Sequence, residues 1–411
     1  MHMIQQVSLR RSPVAGRRSP LAEALKSDLA LAMMLRDLDV ALVFAFLDLP
    51  RKLAGALPED LLPEIDEPTI SRLRSRRAYL LIDHSAEAPP HIVAFSELLH
   101  AWCALRGVPP SALIYVTANP AYLGQYSEWC DAQGLDDRYT HLDFNAFTYE
   151  VSIATAGLDW ARIEPSLMHQ DPRPHRFLCF NNAPRPERIL VVAHMLSVSP
   201  PDALVSLGSS KGRATPERSL QQIANRYETG RLLERHPALF EKLDFKTLQS
   251  RTTLEPPDPT GAVTLYRRFD LEHYAHSYVS VVTESEMKGD AVRRVTEKVL
   301  KPFLFGHLAV VAGNLGALGI VRDMGFGTFD PLIDESYDEI LDPNERLCAV
   351  LCEIDRLRDL DPRAMRDLFM DLEEVRRANL HYGREVLPHR LKVDAQAALA
   401  RHILDGARVI V

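Results

Sequence analysis

The chain has 411 residues, with 48 Lys and Arg against 56 Asp and Glu, a net charge of −8 and 46% hydrophobic residues. That length exceeds one ordinary core and suits two domains, the composition excludes a disordered chain, and the acidic balance argues against a nucleic-acid partner. The five cysteines, Cys103, Cys130, Cys179, Cys348 and Cys352, are odd in number, with no Cys-x-x-Cys pair and no His cluster at zinc spacing, so they read as buried thiols in a reducing cytoplasm.

Residues 1–20 form a basic arm in which Arg10-Arg11-Ser12-Pro13 is echoed by Arg17-Arg18-Ser19-Pro20. A flexible arm is expected there, compatible with contact at an acidic surface or a membrane periphery, and it lacks the uninterrupted apolar run of a signal peptide. The longest apolar region, Leu29 to Leu49, is interrupted by Arg36, Asp37, Asp39 and Asp48, so no transmembrane segment is predicted. Residues 20–75 read as helical with a Pro-rich break around Leu57–Pro68. A strand over Ala78–Ile82, a helix over Ile92–Arg106 and a strand over Ala112–Thr117 follow, the order of a parallel crossover unit. A Rossmann-like first lobe is therefore expected over 21–170.

The Pro- and charge-rich stretch Gln170–Pro174 marks the expected boundary. Beyond it, strands are predicted at Arg176–Phe180, Ala203–Leu207, Tyr278–Thr283 and His307–Ala312. Helices are predicted at Arg188–Leu196, Pro216–Phe245, Ala291–Phe305 and Leu315–Met324. This gives a second Rossmann-like lobe over 171–360. Residues 343–360 and 363–405 read as helices, the segment 361–411 packing back on the first lobe. The fold class is α/β, two Rossmann-like lobes facing a cleft, with C-terminal helices.

An apolar strand ending in Thr283-Glu284-Ser285 puts polar side chains at the carboxyl edge of a parallel sheet, where open α/β folds bind ligands. Glu284 there can accept both hydroxyls of a ribose, with Ser285 beside it. Thr296 and Glu297 open the next helix, whose first turn favours anions, and Lys298 adds positive charge for a diphosphate. Asn181, Arg185 and Arg188 follow the strand at 176–180, and arginine forks match phosphate oxygens; Lys211 could assist. The bland alternatives are a surface salt bridge at Glu284 and Lys298 and a solvated helix start at Arg185 and Arg188. Gly313 and Gly316 fit a tight turn. Asp334, Glu335 and Asp338 fit a solvated turn better than a metal cluster, and no Asp-x-Asp stands at a strand end, so no metal is expected. For a general base, Asp83, His84 and Glu87 are the best-placed residues; a polar capping loop is the alternative.

A strand ending in Glu-Ser, then Val295-Thr296-Glu297-Lys298, then a strand ending at Gly313, resembles the donor half of the two-lobed GT-B glycosyltransferases. The pattern is similar to that of the α-1,3-fucosyltransferases, Phe-Glu-Asn-Ser followed by Tyr-Val-Thr-Glu-Lys. Here Thr283-Glu284-Ser285-Glu286 stands for the first motif, and the spacer to Thr296 is longer. The resemblance covers about residues 176–340. It implies a ribose contact at Glu284, phosphate contacts at Lys298 and the Asn181–Arg188 segment, and metal-independent transfer from a nucleotide-sugar donor to a glycan or other hydroxyl acceptor without a cofactor. The rival readings are a sugar-nucleotide epimerase or hydrolase of similar build and a non-catalytic nucleotide-binding scaffold.

Overall fold

The computed structural model describes residues 4–7, 21, 25, 29–46, 57–62, 65–85, 92–198, 202–209, 214–228, 230–241, 243–255, 269–285, 287 and 292–408. The chain divides into two compact units. The first comprises Met1–Tyr149, Ala291–Arg294 and His389–Val411, the second Glu150–Asp290 and Val295–Pro388.

The first unit is built on five parallel strands lying side by side in chain order: β1 (Ile4–Val7), β2 (Ala41–Phe46), β3 (Ala78–His84), β4 (Leu113–Thr117) and β5 (Thr140–Asp143). β3 and β4 are buried along their whole length, as parallel strands covered on both faces must be. Alternation along them feeds two cores. Leu80, Ile82 and Tyr115 pack with Phe95, Leu99 and Trp102 on one face, while Tyr79, Leu81, Ile114 and Val116 pack with Leu31 and Leu35 on the other. Full burial of such side chains contributes about 1.5–3 kcal/mol each, which explains why these central strands are apolar throughout. The last helix, Leu387–Arg408, seats Ala395, Leu399 and Ile403 in the second core at helical spacing, and Thr140 Oγ1 meets His402 Nδ1 at 2.7 Å.

Two expectations for this region need correction. Residues 20–75 are not helical throughout: Ala41–Phe46 is a strand between β1 and β3. Its six apolar residues carry neither helical nor alternating periodicity, because a central strand is covered on both sides. The arm at 1–20 is not wholly an arm either, since Ile4–Val7 pairs in parallel with Leu42–Ala45; its Arg-Ser-Pro repeats lie outside the described residues. The apolar region from Leu29 is split into the helix Leu29–Asp37 and β2, and no described helix is long and apolar enough to cross a membrane.

The second unit holds a four-stranded parallel sheet of β6 (His175–Cys179), β7 (Ala203–Val205), β8 (Ser277–Thr283) and β9 (Leu308–Ala312), in the order β7-β6-β8-β9. The chain steps outward from β6 to β7 and returns on the other side of β6 to β8, so the strand order reverses between β6 and β8. Gln170–Pro174 is not the boundary. Arg173 fixes it inside the second unit, donating from Nη1 to Tyr274 O and Ser277 O and from Nη2 to Leu167 O, and the division falls at Glu150. The expected helix Pro216–Phe245 is broken into Pro216–Arg226, Gly230–Arg235 and Ala238–Glu241, with Gly230 at φ 63°. The helix expected from Ala291 begins only at Glu297, where Thr296 caps it. Aspartates before prolines set later helix starts: Asp342 accepts from Asn344 N and Glu345 N, and Asp361 from Arg363 N and Ala364 N.

Candidate functional site

A cavity of about 250 Å³ in the second unit lies at the carboxyl ends of β6 and β8, where the strand order reverses. In open parallel sheets the loops leaving two such strands diverge to opposite faces, which opens a crevice there. Phe180–Ala183 line it from β6, Ser280–Thr283 and Ser285 from β8, and Glu297, Lys298 and Lys301 from the helix Glu297–Leu304.

Four cationic side chains, Arg185, Arg188, Lys298 and Lys301, line the cavity against two carboxylates, Asp270 and Glu297. Arg188 sits at the start of the helix Pro186–Val198 and is 3% exposed. Its hydrogen bonds are long, 3.4 Å to Ala183 O and 3.3 Å to Glu284 O, and its Nε has no partner among the described residues. Burial and the neighbouring Arg185 charge push its pKa down to about 10, with Glu284 opposing, so it stays charged at neutral pH. A buried guanidinium so poorly satisfied is costly unless an anion completes it. Arg185 donates to Ser285 O. Burial alone would raise the Glu297 carboxyl, but the Lys298 and Lys301 ammonium groups outweigh it and hold it at about 2; Lys298 Nζ lies 3.2 Å from Glu297 Oε1 and 2.9 Å from Thr296 Oγ1.

Asn181 ties the two strand ends together: it receives a 2.5 Å hydrogen bond from Thr283 Oγ1 at Oδ1, and its backbone N–H donates to Ser206 Oγ at 3.0 Å. Next to it, Asn182 lines the cavity with Nδ2 buried and unpartnered among the described residues. Gly208 lets this turn form. A Cβ there would stand 2.6 Å from Asn182 O, and Gly208 N donates to Asn181 O.

Glu284 is placed differently from the ribose contact expected of it. It is 4% exposed, absent from the cavity lining, and its carboxylate is turned inward, accepting from Thr296 N at 2.7 Å, from the Thr296 hydroxyl and from Ser285 N. Four acceptor positions on a carboxylate leave little for a ligand once these are filled. Ser285, Thr296, Glu297 and Lys298 are thus brought together with Asn181, Arg185 and Arg188. Lys211 lies outside the described residues.

No family model matches the chain, and no curated protein matches it. Among solved structures it is similar to a trehalose-6-phosphate protein from E. coli bound with UDP-2-fluoro glucose, at 12% identity over 95% of this chain and 99% of that one, with a TM-score of 0.42. It is similar to an α,α-trehalose-phosphate synthase (UDP-forming) from Burkholderia xenovorans in complex with glucose-6-phosphate, at 11% identity over 94% and 76% of the two chains, TM-score 0.43. The N-terminal domain of a Candida albicans trehalose-6-phosphate phosphatase matches at 10% identity over 96% and 77%, TM-score 0.43. Likeness of this size decides neither fold nor function, which rest on the chain's own sheets and side chains.

In the first unit, Asp83 and His84 end β3 and are both buried. Asp83 Oδ1 accepts from Ser85 N at 2.9 Å, and His84 Nδ1 meets Tyr115 Oη at 2.8 Å. Glu87 lies outside the described residues. The acidic turn at 334–338 corrects another expectation: Glu335 and Asp338 are buried rather than solvated. Glu335 accepts from Phe329 N and pairs with Arg322, and Asp338 accepts from Leu318 N and Gly319 N at the start of the helix Ala317–Asp323. Gly316, at φ 71°, is the turn before that helix.

Asn182 falls within the phosphate segment expected from the sequence, whereas Lys301, Asp270 and Tyr274 were not assigned as lining residues. Lys301 had a signal, since it follows Lys298 by three positions and shares its helix face. Asp270 and Tyr274 had none, because only the folding of their segment against β6 and β8 brings them to the cavity.

Proposed function

We propose that this protein transfers a sugar from a nucleotide-activated donor to a hydroxyl acceptor, with the donor's diphosphate held in the cavity at the ends of β6 and β8. The observation that carries the reading is Arg188: a buried guanidinium with an unpartnered Nε and two long hydrogen bonds, in a cavity whose cations outnumber its carboxylates. Such a site suits a doubly charged anion. In sugar transfer the charge grows on the departing diphosphate, so Arg185, Arg188, Lys298 and Lys301 stabilise the transition state more than the ground state. Asn182 Nδ2 adds a donor. On this reading the side chains supply the neutralising charge without a metal. Glu284 acts as a positioning residue that holds Thr296, and through it Lys298, at the cavity edge.

The finer reading is a GT-B enzyme acting in the cytoplasm, with the donor's base and sugar left open, since Thr283-Glu284-Ser285-Glu286 departs from the fucosyltransferase motif. The base remains the segment Asp83, His84 and Glu87 singled out in the sequence. A second reading, a nucleotide-binding protein without transfer, is favoured by the burial of Asp83 and His84, which withdraws both described members of the base segment from solvent.

The experiment is isothermal calorimetry against UDP, GDP, CDP and CMP without added metal, followed by turnover of the matching sugar nucleotides with mixed hydroxyl acceptors. One nucleoside diphosphate binds, and its affinity falls by about tenfold or more in Arg188→Met. Asp83→Asn or His84→Gln retains donor binding while turnover falls about 10²–10⁴-fold, the span of a lost general base. If no nucleotide binds, the reading is wrong; if one binds and no acceptor is ever glycosylated, the non-catalytic reading replaces it.

A further inference from the structure

Away from the cavity, the second unit gathers five side chains that coordinate metals. Cys348, Cys352 and Asp355 follow one another at four and three positions along the helix Pro343–Asp359, so they share one face. His194 comes from the helix Pro186–Val198, and His236 from the turn after Gly230–Arg235. One ligand atom each from His236, Cys348 and Cys352 lie within 4.8 Å of one another, and so do one each from His194, His236 and Asp355. His236 belongs to both groups. Its Nε2 is buried with no hydrogen-bond partner among the described residues.

We propose that Cys348, Cys352 and His236 bind a thiophilic divalent cation of the zinc class, with the His194–Asp355 pair beside it as outer support. Zinc holds thiolate sulfur at about 2.3 Å and imidazole nitrogen at about 2.0–2.1 Å, which in a tetrahedral site spaces the ligand atoms roughly 3.5–3.8 Å apart. The gathered atoms, within 4.8 Å of one another, need only close by about 1 Å to reach that spacing. A disulfide does not compete: helical residues four apart hold their Cβ atoms about 5–6 Å apart, against the 3.5–4.5 Å a disulfide needs. Binding forms two metal–sulfur bonds and releases the two thiol protons to solvent, with no change of oxidation state.

The surroundings fit this chemistry. Arg235 Nη1 donates to Cys352 Sγ at 3.3 Å, a bond that a metal-bound thiolate can keep. His194 Nε2 meets Asp355 Oδ1 at 2.8 Å, and Arg358 Nη1 meets the same oxygen at 2.7 Å, which anchors this pair to the helix beside His236. Such an ion would clip two segments together, the helix Pro343–Asp359 and the turn at His236, while the His194–Asp355 hydrogen bond ties the helix Pro186–Val198 alongside. With three protein ligands the fourth tetrahedral position falls to solvent, and the site is independent of the sugar-transfer reading.

The test uses the full chain, freed of metal by chelator and then titrated with Zn²⁺ or Co²⁺. One ion binds per chain, and Co²⁺ develops the ultraviolet thiolate-to-metal band together with the visible bands of a tetrahedral site. Zn²⁺ raises the thermal midpoint, and in the unmutated protein it slows alkylation of the partly exposed Cys352, which chelator restores. Cys348→Ser/Cys352→Ser abolishes the band and the stoichiometric binding. The proposal is overturned if Co²⁺ gives no thiolate band, if Zn²⁺ leaves the alkylation rate of Cys352 unchanged, or if the double variant still binds one ion. The alkylation measurement needs no variant, so a misfolded mutant does not obscure the result.

Discussion

The Glu284 carboxylate and Thr296, twelve positions apart, lock the end of β8 to the start of the helix Glu297–Leu304. Thr296 N donates to Oε1 at 2.7 Å, and the hydroxyl is shared between Oε1 and Oε2 at 2.9 and 2.8 Å. Thr296 is also the helix cap, so one side chain serves two tasks. Thr296→Val removes both: the cap is worth about 1 kcal/mol, and an under-satisfied buried carboxylate costs about 1–3 kcal/mol more. Glu284→Gln is also destabilising, and the double variant costs less than the sum, since the two residues are one network. Chemical denaturation of the four proteins measures this; additive losses would remove the coupling.

Arg188→Met separates binding from stability. It replaces a poorly bonded buried cation with an apolar chain of similar length, so the free protein keeps or gains thermal stability. Nucleoside diphosphate affinity falls by tenfold or more, because a hydrogen bond to a charged group contributes about 1.5–3 kcal/mol. Calorimetry paired with thermal melting checks both halves. A drop in midpoint with unchanged affinity would make Arg188 structural.

Glu297 gives an acid dependence whose sign follows from its depressed pKa of about 2 against 4.5 for an ordinary glutamate. The unfolded state takes up the proton first, so the contribution is full above about pH 4.5 and declines as pH falls toward 2. Glu297→Gln has no such proton to take up, and its loss of stability between pH 5 and 2 is correspondingly shallower. Equal pH slopes in melts of the two proteins would show that Lys298 and Lys301 do not stabilise the ionised form.

Gly208→Ala tests the turn that supports Asn182. The added Cβ would stand 2.6 Å from Asn182 O, against rigid backbone, so the segment must shift. Overpacking of this kind costs about 1–3 kcal/mol, and displacement of Asn182 weakens nucleotide binding as well. A variant with unchanged melting and unchanged affinity would mean the turn adapts without moving the cavity.

The sequence by itself determined the local parts. β3, β4, β6, β8 and β9 were legible as short apolar runs, because apolar side chains in parallel strands are buried on both faces whatever the neighbours are. The carboxyl-edge position of Thr283-Glu284-Ser285 and the cap at Thr296 followed from the same local rules. β2 was not legible, since Ala41–Phe46 has no period to separate a strand from a helix until its neighbours β1 and β3 are known. Nor was the division at Glu150, which depends on Arg173 fastening Gln170–Pro174 to the second unit by contacts about a hundred positions away.

Tertiary structure alone decided which way side chains face. Glu284 reads as a ligand carboxylate in the sequence and turns inward to Thr296 in the fold, because a buried charge takes the nearest donors. Asn182 and Lys301 join the cavity through the reversal of strand order, and His236 meets Cys348 and Cys352 across more than a hundred residues. Sequence spacing records neighbours along the chain, whereas a binding site is set by which strand ends and helix faces the packing brings together.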